Sequence, residues 1–289
     1  MVQPELRENT NLLDNYFPFN IFFNTPKGNN VLKLHWHNNI EIILMVSGHA
    51  VFNIGSEEIE ARPGDILFVN CGQLHSGYSV DNTEVVFNAI VFNGALLASQ
   101  SPDPYHSKYI SPFLESKLHY PYKISHDQEE YCIFEPLVEN IIKEFVEKKP
   151  GFQLTIKSYL VLLTVGARRN CCTDAAIETN DEFYRLNIER IKVVIKYVEN
   201  HFAERIALKE VAKMINLSPY HFCKTFKKLT GRTFIDFLNL YRVNEAEELL
   251  RNTTLTITEI ADKIGFCNIN YFDRIFKKYK RYSPSKCRR

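Results

Sequence analysis

What the sequence lacks narrows it first. No apolar run is long enough to cross a bilayer: the longest, Tyr159 to Ala167, falls well short of the roughly 20 residues a spanning helix needs. Residues Met1 to Asn11 are polar, carry Glu5 and Glu8, and hold no secretory signal. The seven cysteines, at 71, 132, 171, 172, 223, 267 and 287, include no Cys-x-x-Cys pair. An odd, scattered set suits free, mostly buried thiols in a reducing cytoplasm better than a disulfide framework or a zinc finger. No catalytic triad, phosphate loop or paired-carboxylate site stands out, so the sequence carries no signature of a common enzyme class. What remains is an ordinary soluble composition, 45% hydrophobic and 24% charged, over 289 residues, enough for two domains with separate cores.

The formal charge of +1 conceals an asymmetry. Phe183 to Arg289 holds 22 Lys and Arg against 11 Asp and Glu, a net of +11, which leaves −10 for Met1 to Glu182. A polyanionic partner is therefore expected for the carboxyl-terminal part alone.

Three zones follow from the patterning. From about Asn20 to Asn93, runs such as Ile42–Val46, Ala50–Ile54, Ile66–Asn70 and Val85–Phe92 alternate with Gly, Asn and Pro, which predicts the short strands of a sandwich or barrel. From Asp127 to Arg169 the period lengthens. Ile133, Leu137, Ile141, Ile142 and Phe145 form one helical stripe, Pro150-Gly151 breaks it, and a second helix runs through Leu154, Tyr159, Leu162 and Leu163. Small polar residues from Thr173 to Asp181 read as a linker, and everything beyond reads helical.

The last zone contains an internal repeat. Leu208, Val211, Ala212 and Ile215 share their spacing with Ile257, Ile260, Ala261 and Ile264, each set one apolar face with a small residue where a second helix crosses closely. The second copy opens with a capping box, Thr256-x-x-Glu259, while the first has Ala207 there. Asn216 and Gly265, which tolerate a left-handed backbone, make the turns. A further helix then starts at Ser218-Pro219 or near Asn268, burying Phe222, Phe226 and Leu229, or Phe272, Phe276 and Tyr279. This predicts two helix-turn-helix units joined by a rigid helix, Phe234 to Leu250, with Phe237, Leu238, Tyr241, Ala246 and Leu249 inward.

Opposite the phenylalanines lie Tyr220, His221, Cys223, Lys224, Lys227 and Lys228 in the first unit, following Ser218. In the second lie Asn270, Tyr271, Arg274, Lys277 and Lys278, following Asn268. Polar and aromatic groups at a helix start suit base edges in a major groove, and the lysine pairs further along suit phosphates. A solvated charged face is the plainer reading, but repeat, charge and aromatics together favour double-stranded DNA.

These residues resemble the AraC family of transcription regulators. The match runs from about 185 to 289. Its second part is Ile257, Ile260-Ala261, Ile264-Gly265-Phe266, Tyr271-Phe272, Arg274, Phe276-Lys277-Lys278, Ser283-Pro284 and Arg288. Its first is Leu208, Ala212, Leu217-Ser218-Pro219, Phe222, Phe226-Lys227, Gly231, Phe234 and Arg242 to Ala246. Arg281 and Cys287 depart from the pattern, where the family usually has Gly and an aromatic. The resemblance implies two reading helices entering successive major grooves, beside RNA polymerase at a promoter.

In the amino-terminal half, His35-x-His37-x3-Glu41-x6-Gly48, then Gly64 and His75, resembles the two cupin motifs, with Asn70 and Ser79 departing from the second. On a strand His35 and His37 point one way and Trp36 the other. Metal cupins bind Fe, Mn or Ni through the matching histidines and glutamate. The alternative, preferred here, is no metal and a ligand pocket of His35, Trp36, His37, Glu41, His75 and Tyr78, able to take a sugar by hydrogen bonding and stacking, or another metabolite. The aromatic arm Tyr16-Phe17-Pro18-Phe19 is expected to close over it.

The expected fold is thus α+β and multidomain. A cupin-like β-barrel (about 15–100) with two dimerising helices (about 127–170) spans 1–172, a linker spans 173–184, and 185–289 is all-α with helix-turn-helix units at about 206–231 and 256–281. The expected function is a ligand-responsive, homodimeric transcription activator of carbohydrate genes. The rival is a metal-dependent cupin enzyme with an accessory nucleic-acid domain.

Overall fold

The computed structural model describes residues 8, 10, 12, 16–26, 30–80, 84–99, 101–115, 117–171, 181–280 and 282–288, with the side chains of 30 and 181–185 excepted. It divides into two compact units, Leu6–Arg185 and Leu186–Arg289.

The first unit begins with eight strands: β1 (Phe19–Asn24), β2 (Asn30–His35), β3 (Ile40–Ser47), β4 (Ala50–Ile54), β5 (Glu57–Ala61), β6 (Ile66–Val69), β7 (His75–Ser79) and β8 (Val86–Phe92). A single 3-10 turn, Gly94–Leu97, leads into the short helices α1 (Pro104–Tyr109) and α2 (Ser111–Leu114), then β9 (Lys123–Ile124), α3 (Tyr131–Glu147) and α4 (Phe152–Asn170). The strands form two antiparallel sheets, ordered β1-β8-β3-β6-β9 and β2-β7-β4-β5.

Alternation along β3 shows how the layers arise. Ile40 and Ile42 join Phe19, Ile66, Phe68, Ile90 and Phe92 in one core, against Phe134, Val138, Ile141, Leu160 and Leu163 of α3 and α4. Ile43 and Met45 face the other way, into a core with Phe52, Ile54, Leu67, Val69, Phe87 and Ala89 between the sheets. A central strand buried on both faces reads as a nearly continuous apolar run, as β3 does. Glu41 lies on the Ile43 face, a carboxylate inside the sandwich.

Three expectations need revision in this unit. The arm does not close over the inner face: Phe17 and Phe19 are buried in the helix-side core, their rings 6.0 Å from Phe152 and 5.7 Å from Phe145, while Tyr16 stands in solvent. The stripe on α3 is rotated, with Phe134 and Val138 buried and Ile133 exposed. On α4 the buried face is Ile156, Leu160, Leu163 and Ala167, leaving Leu154 and Leu162 outside. Both helices carry apolar residues on more than one face, so spacing alone does not say which face meets the sheet.

The second unit is helical: α5 (Asp181–His201), α6 (Leu208–Met214), α7 (Pro219–Thr230), α8 (Phe234–Asn252), α9 (Ile257–Lys263), α10 (Ile269–Lys280) and α11 (Pro284–Cys287). Residues 173–180 of the expected linker lie outside the described residues, and α5 already starts inside its last part. α8 is buried nearly all round, including Asn239 and Arg242, because it packs against α7 on one side and α9, α10 and α11 on the other. The Arg242 guanidinium donates to the carbonyls of Phe202 (2.7 Å) and Glu204 (2.8 Å) and lies over the Phe266 ring, which satisfies a charge that would otherwise be costly to bury.

Candidate nucleic-acid interface and effector site

In the second unit each reading helix is set by a short turn. Asn216 (φ 55°) follows α6 and Gly265 (φ 83°) follows α9, both in the left-handed region. Thr256 and Glu259 form the reciprocal capping box at the start of α9, whereas Ala207 leaves α6 without a side-chain cap. Ser218 caps α7 by accepting from the His221 N–H at 3.3 Å, and Asn268 caps α10 by accepting from the Tyr271 N–H at 3.0 Å. Both residues therefore place the helices as well as bordering the face.

Phe222, Phe226 and Leu229 of α7, and Phe272, Ile275 and Phe276 of α10, are buried. Tyr279, expected inward, is half-buried with its hydroxyl on Asp236. All thirteen residues read as a DNA-facing surface are exposed: Ser218, Tyr220, His221, Cys223, Lys224, Lys227, Lys228, Asn268, Asn270, Tyr271, Arg274, Lys277 and Lys278. The two faces differ electrostatically. Lys224, Lys227 and Lys228 have no ion-pair partner among the described residues. On α10, Lys277 pairs with Asp273 (2.5 Å), Lys278 with Asp236 (3.0 Å) and Lys280 with Glu247, while Arg274 stacks on Tyr271. Tyr271 is also fixed from below, its hydroxyl accepting from Asn239 Nδ2 at 3.1 Å. Arg281 lies outside the described residues. Cys287 packs, partly buried, against the second unit's core.

In the first unit, His35 at the end of β2 pairs in register with His75 at the start of β7, and His37 and Glu41 close the group from the next turn and β3. One donor atom from each of the four lies within 4.8 Å of all the others. Glu41 Oε2 is 3.0 Å from His37 Nε2 and 3.1 Å from His75 Nε2. Trp36 is half-buried between the two histidines. Tyr78 is not brought to the cluster: three residues beyond His75 on a regular strand, it faces the other side of β7. The inward position beside it belongs to Gly77, where a Cβ would meet the Phe52 ring at 2.9 Å.

The three histidines share one orientation. Each Nδ1 lies against a backbone carbonyl: His35 on Lys33 (2.8 Å), His37 on Asn39 (3.2 Å), His75 on Gln73 (2.9 Å). A carbonyl only accepts, so Nδ1 carries the hydrogen and Nε2 turns inward. Gln73 is held in turn by Asn70, whose N–H donates to Gln73 Oε1 at 2.9 Å and whose side chain binds Tyr120 backbone groups. Burial alone would raise the Glu41 carboxyl, but its contacts with His37 and His75 outweigh that and hold it far below the usual carboxylate range. Burial pushes the His75 imidazole down to about 4. Burial also lowers His35, but its bond to Glu8 (2.8 Å) and the Glu41 charge outweigh this and leave it raised; the same bond lowers Glu8.

His75 Nε2 is fully buried, and the one polar atom the structure places against it is the Glu41 oxygen at 3.1 Å, in a contact that does not meet hydrogen-bond geometry. Three inward nitrogens whose other nitrogens are tied to carbonyls, together with a carboxylate, fit a divalent transition-metal ion.

Duplicated helix-turn-helix units with exposed basic faces, attached to a β-sandwich with an internal polar cluster, define a ligand-responsive DNA-binding regulator. Comparison with known proteins gives the family. Residues 23–160 match the AraC-like ligand binding domain, and residues 211–289 match a helix-turn-helix domain. The chain is 25% identical over 258 residues to the uncharacterized HTH-type transcriptional regulator YdeC of Bacillus subtilis (strain 168), covering 89% of this chain and 86% of that protein. It is 26% identical to the HTH-type transcriptional activator RhaS of Enterobacter sp. (strain 638), covering 88% and 86%. Among solved structures, ToxT from Vibrio cholerae aligns at 13% identity and a TM-score of 0.43, covering 93% of this chain and 97% of that one. The chain belongs to the AraC family of transcription regulators.

Proposed function

We propose that this regulator acts in the cytoplasm as a homodimer that activates carbohydrate-related genes, with a sugar held by the polar cluster of the first unit. The exposure of all thirteen residues read as DNA-facing, with the phenylalanines of α7 and α10 buried, supports DNA reading by both helices. Tyr220, Lys224, Asn270, Tyr271 and Arg274 reach base edges, and the lysines beyond them hold phosphates. Leu154 and Leu162, exposed on α4, supply the dimer contact. The description of RhaS as an activator supports activation, and hence contact with RNA polymerase.

His35, His37, Glu41 and His75 offer donors and acceptors for hydroxyl groups. A sugar would favour one protomer arrangement over another by binding it better. No helix among the described residues is long and apolar enough to cross a membrane, which suits a cytoplasmic site of action. Full-length relatives named as regulators favour this reading over a metal-dependent enzyme with an accessory nucleic-acid domain.

The test is a mobility shift on promoter DNA with and without a panel of sugars. The Lys224→Ala/Arg274→Ala double variant is expected to lose specific retardation. Retardation like that of the parent would refute the DNA assignment, and indifference to every sugar would refute the effector class.

A further inference from the structure

The cations of α10 are held in two different ways. Lys277, Lys278 and Lys280 each pair with a carboxylate. Arg274 has no acidic partner among the described residues, and its guanidinium carbon lies 5.3 Å from the centre of the Tyr271 ring. A carboxylate neutralises a cation and occupies its donors, whereas an aromatic face orders a guanidinium and leaves its N–H groups free.

Tyr271 is itself fixed from three directions. Its N–H donates to Asn268 at 3.0 Å, its ring centre lies 5.7 Å from that of Phe266, and its hydroxyl accepts from Asn239 Nδ2 at 3.1 Å. Asn239, on α8, is only 6% exposed, and an amide is costly to bury unless it is bonded. We infer that Asn239 is a positioning residue for DNA reading: through the Tyr271 hydroxyl it sets the ring that presents Arg274 to the edge of a guanine. This rests on the DNA assignment of α10 made above.

The guanidinium fork matches the O6 and N7 acceptors of guanine in the major groove, the commonest specific contact of an arginine. Ordering such a side chain before it meets DNA is worth roughly twofold to tenfold in affinity. A second bond steadies the same helix. Eight residues along, about 12 Å, the Tyr279 hydroxyl donates to Asp236, which shares a face of α8 with Asn239 at i, i+3 spacing. Two hydroxyl bonds that far apart fix the rotation of α10 on α8. The first unit has no equivalent. With Phe222 matched to Phe272, Lys224 stands where Arg274 does and His221 where Tyr271 does, and no aromatic stack holds Lys224 among the described residues.

The test uses full-length parent, Asn239→Leu, Tyr271→Phe, the double variant of these two, and Arg274→Ala. Each selects sites from a random duplex library at low salt, where phosphate contacts keep every variant on DNA. Affinities for the selected site and for an unrelated duplex are then measured by anisotropy. Arg274→Ala is expected to erase a guanine preference at one base pair. Asn239→Leu should weaken the preference at that same pair roughly twofold to tenfold, leaving the other positions and the affinity for unrelated DNA unchanged. Tyr271→Phe should weaken the same pair, and the double variant should lose no more than the worse single, because both changes remove one bond. A merely structural Asn239 would lower affinity for both duplexes together or leave every preference as in the parent, and either result overturns the positioning role. Additive losses in the double variant overturn the route through Tyr271. Should Asn239→Leu fail to fold, Tyr271→Phe at its exposed site carries the test, and an unchanged preference at the Arg274 pair overturns the proposal. Parent-like preferences in Arg274→Ala overturn this proposal and the DNA assignment of α10 together. An altered Arg274→Ala beside a parent-like Asn239→Leu overturns the positioning role alone.

Discussion

The Lys278 ammonium of α10 donates to the Asp236 carboxylate of α8 at 3.0 Å, and the Tyr279 hydroxyl donates to the same oxygen at the same distance. A cation on the second reading helix is thereby tied to the helix that joins the two helix-turn-helix units, whereas the lysines of α7 carry no such partner among the described residues.

The salt dependence of DNA binding should reflect that difference. A phosphate contact by a cation adds roughly 0.9 to the slope of log Kobs against log salt. Lys227→Ala/Lys228→Ala is expected to lower the slope by nearly two. Lys277→Ala/Lys278→Ala should lower it by less, since each of those lysines must first leave a carboxylate. Equal losses in the two double variants, measured by fluorescence anisotropy across a salt series, would contradict the asymmetry.

Asp236 should also make the second unit's stability depend on acid. Its carboxyl is held low chiefly by the Thr233 hydroxyl, then, against burial, by Lys278 and Tyr279. A depressed folded pKa stabilises above the unfolded value of about 3.9 and stops doing so as pH falls through the folded one. The carboxylate is 40% exposed, so screening keeps the contribution to about 1 kcal/mol or less. Urea melts of Asp236→Asn and the parent should differ near pH 6 and draw together only as pH falls below the unfolded value of about 3.9 and through the lowered folded one. A gap that persists at low pH would assign the effect to packing.

Gly265→Ala should be among the more damaging single substitutions in the second unit. The residue has φ 83°, and a Cβ there would lie 2.5 Å from the Ala203 carbonyl oxygen. Backbone strain of this kind costs of order 1–3 kcal/mol, before any shift of the chain after α5. A thermal melt showing less than a few degrees of change would mean that the turn relaxes without strain.

The unequal caps of the repeat invite opposite changes. Thr256→Ala removes the hydroxyl that accepts from the Glu259 N–H, leaving the Glu259 carboxylate on the backbone N–H of residue 256, and should cost about 1 kcal/mol. Ala207, already extended at φ −89° and ψ 131°, has the backbone of a cap without the side chain. Ala207→Ser should therefore stabilise the unit by roughly 0.5–1 kcal/mol, read by chemical denaturation. A destabilising serine would show that its hydroxyl fails to reach the Glu210 N–H.

The reading helices were legible in the sequence because their signals are local. Phe222, Phe226, Phe272 and Phe276 mark the buried side at helical spacing, Pro219 and Thr256 mark starts, and Asn216 and Gly265 mark turns. Tyr279 and Ile275 were harder, since a tyrosine at the apolar spacing gives no sign that Asp236 waits for its hydroxyl. The charge-rich β5, Glu57–Ala61, and the two-residue β9 lack an apolar pattern of their own and exist through pairing with β4 and β6. The histidine cluster was legible as residue types but not as an assembly, and Glu8, far from any motif, gave no signal at all.

By itself the sequence determined the repeat, the basic carboxyl-terminal half and the side of each reading helix that is buried, because period, charge and capping act within a few residues along the chain. Only the tertiary structure decided which lysines are already neutralised, which face of α3 and α4 meets the sheet, and that three Nε2 atoms and a carboxylate converge beside Glu8. Those outcomes depend on contacts between residues tens of positions apart, and no local preference specifies them.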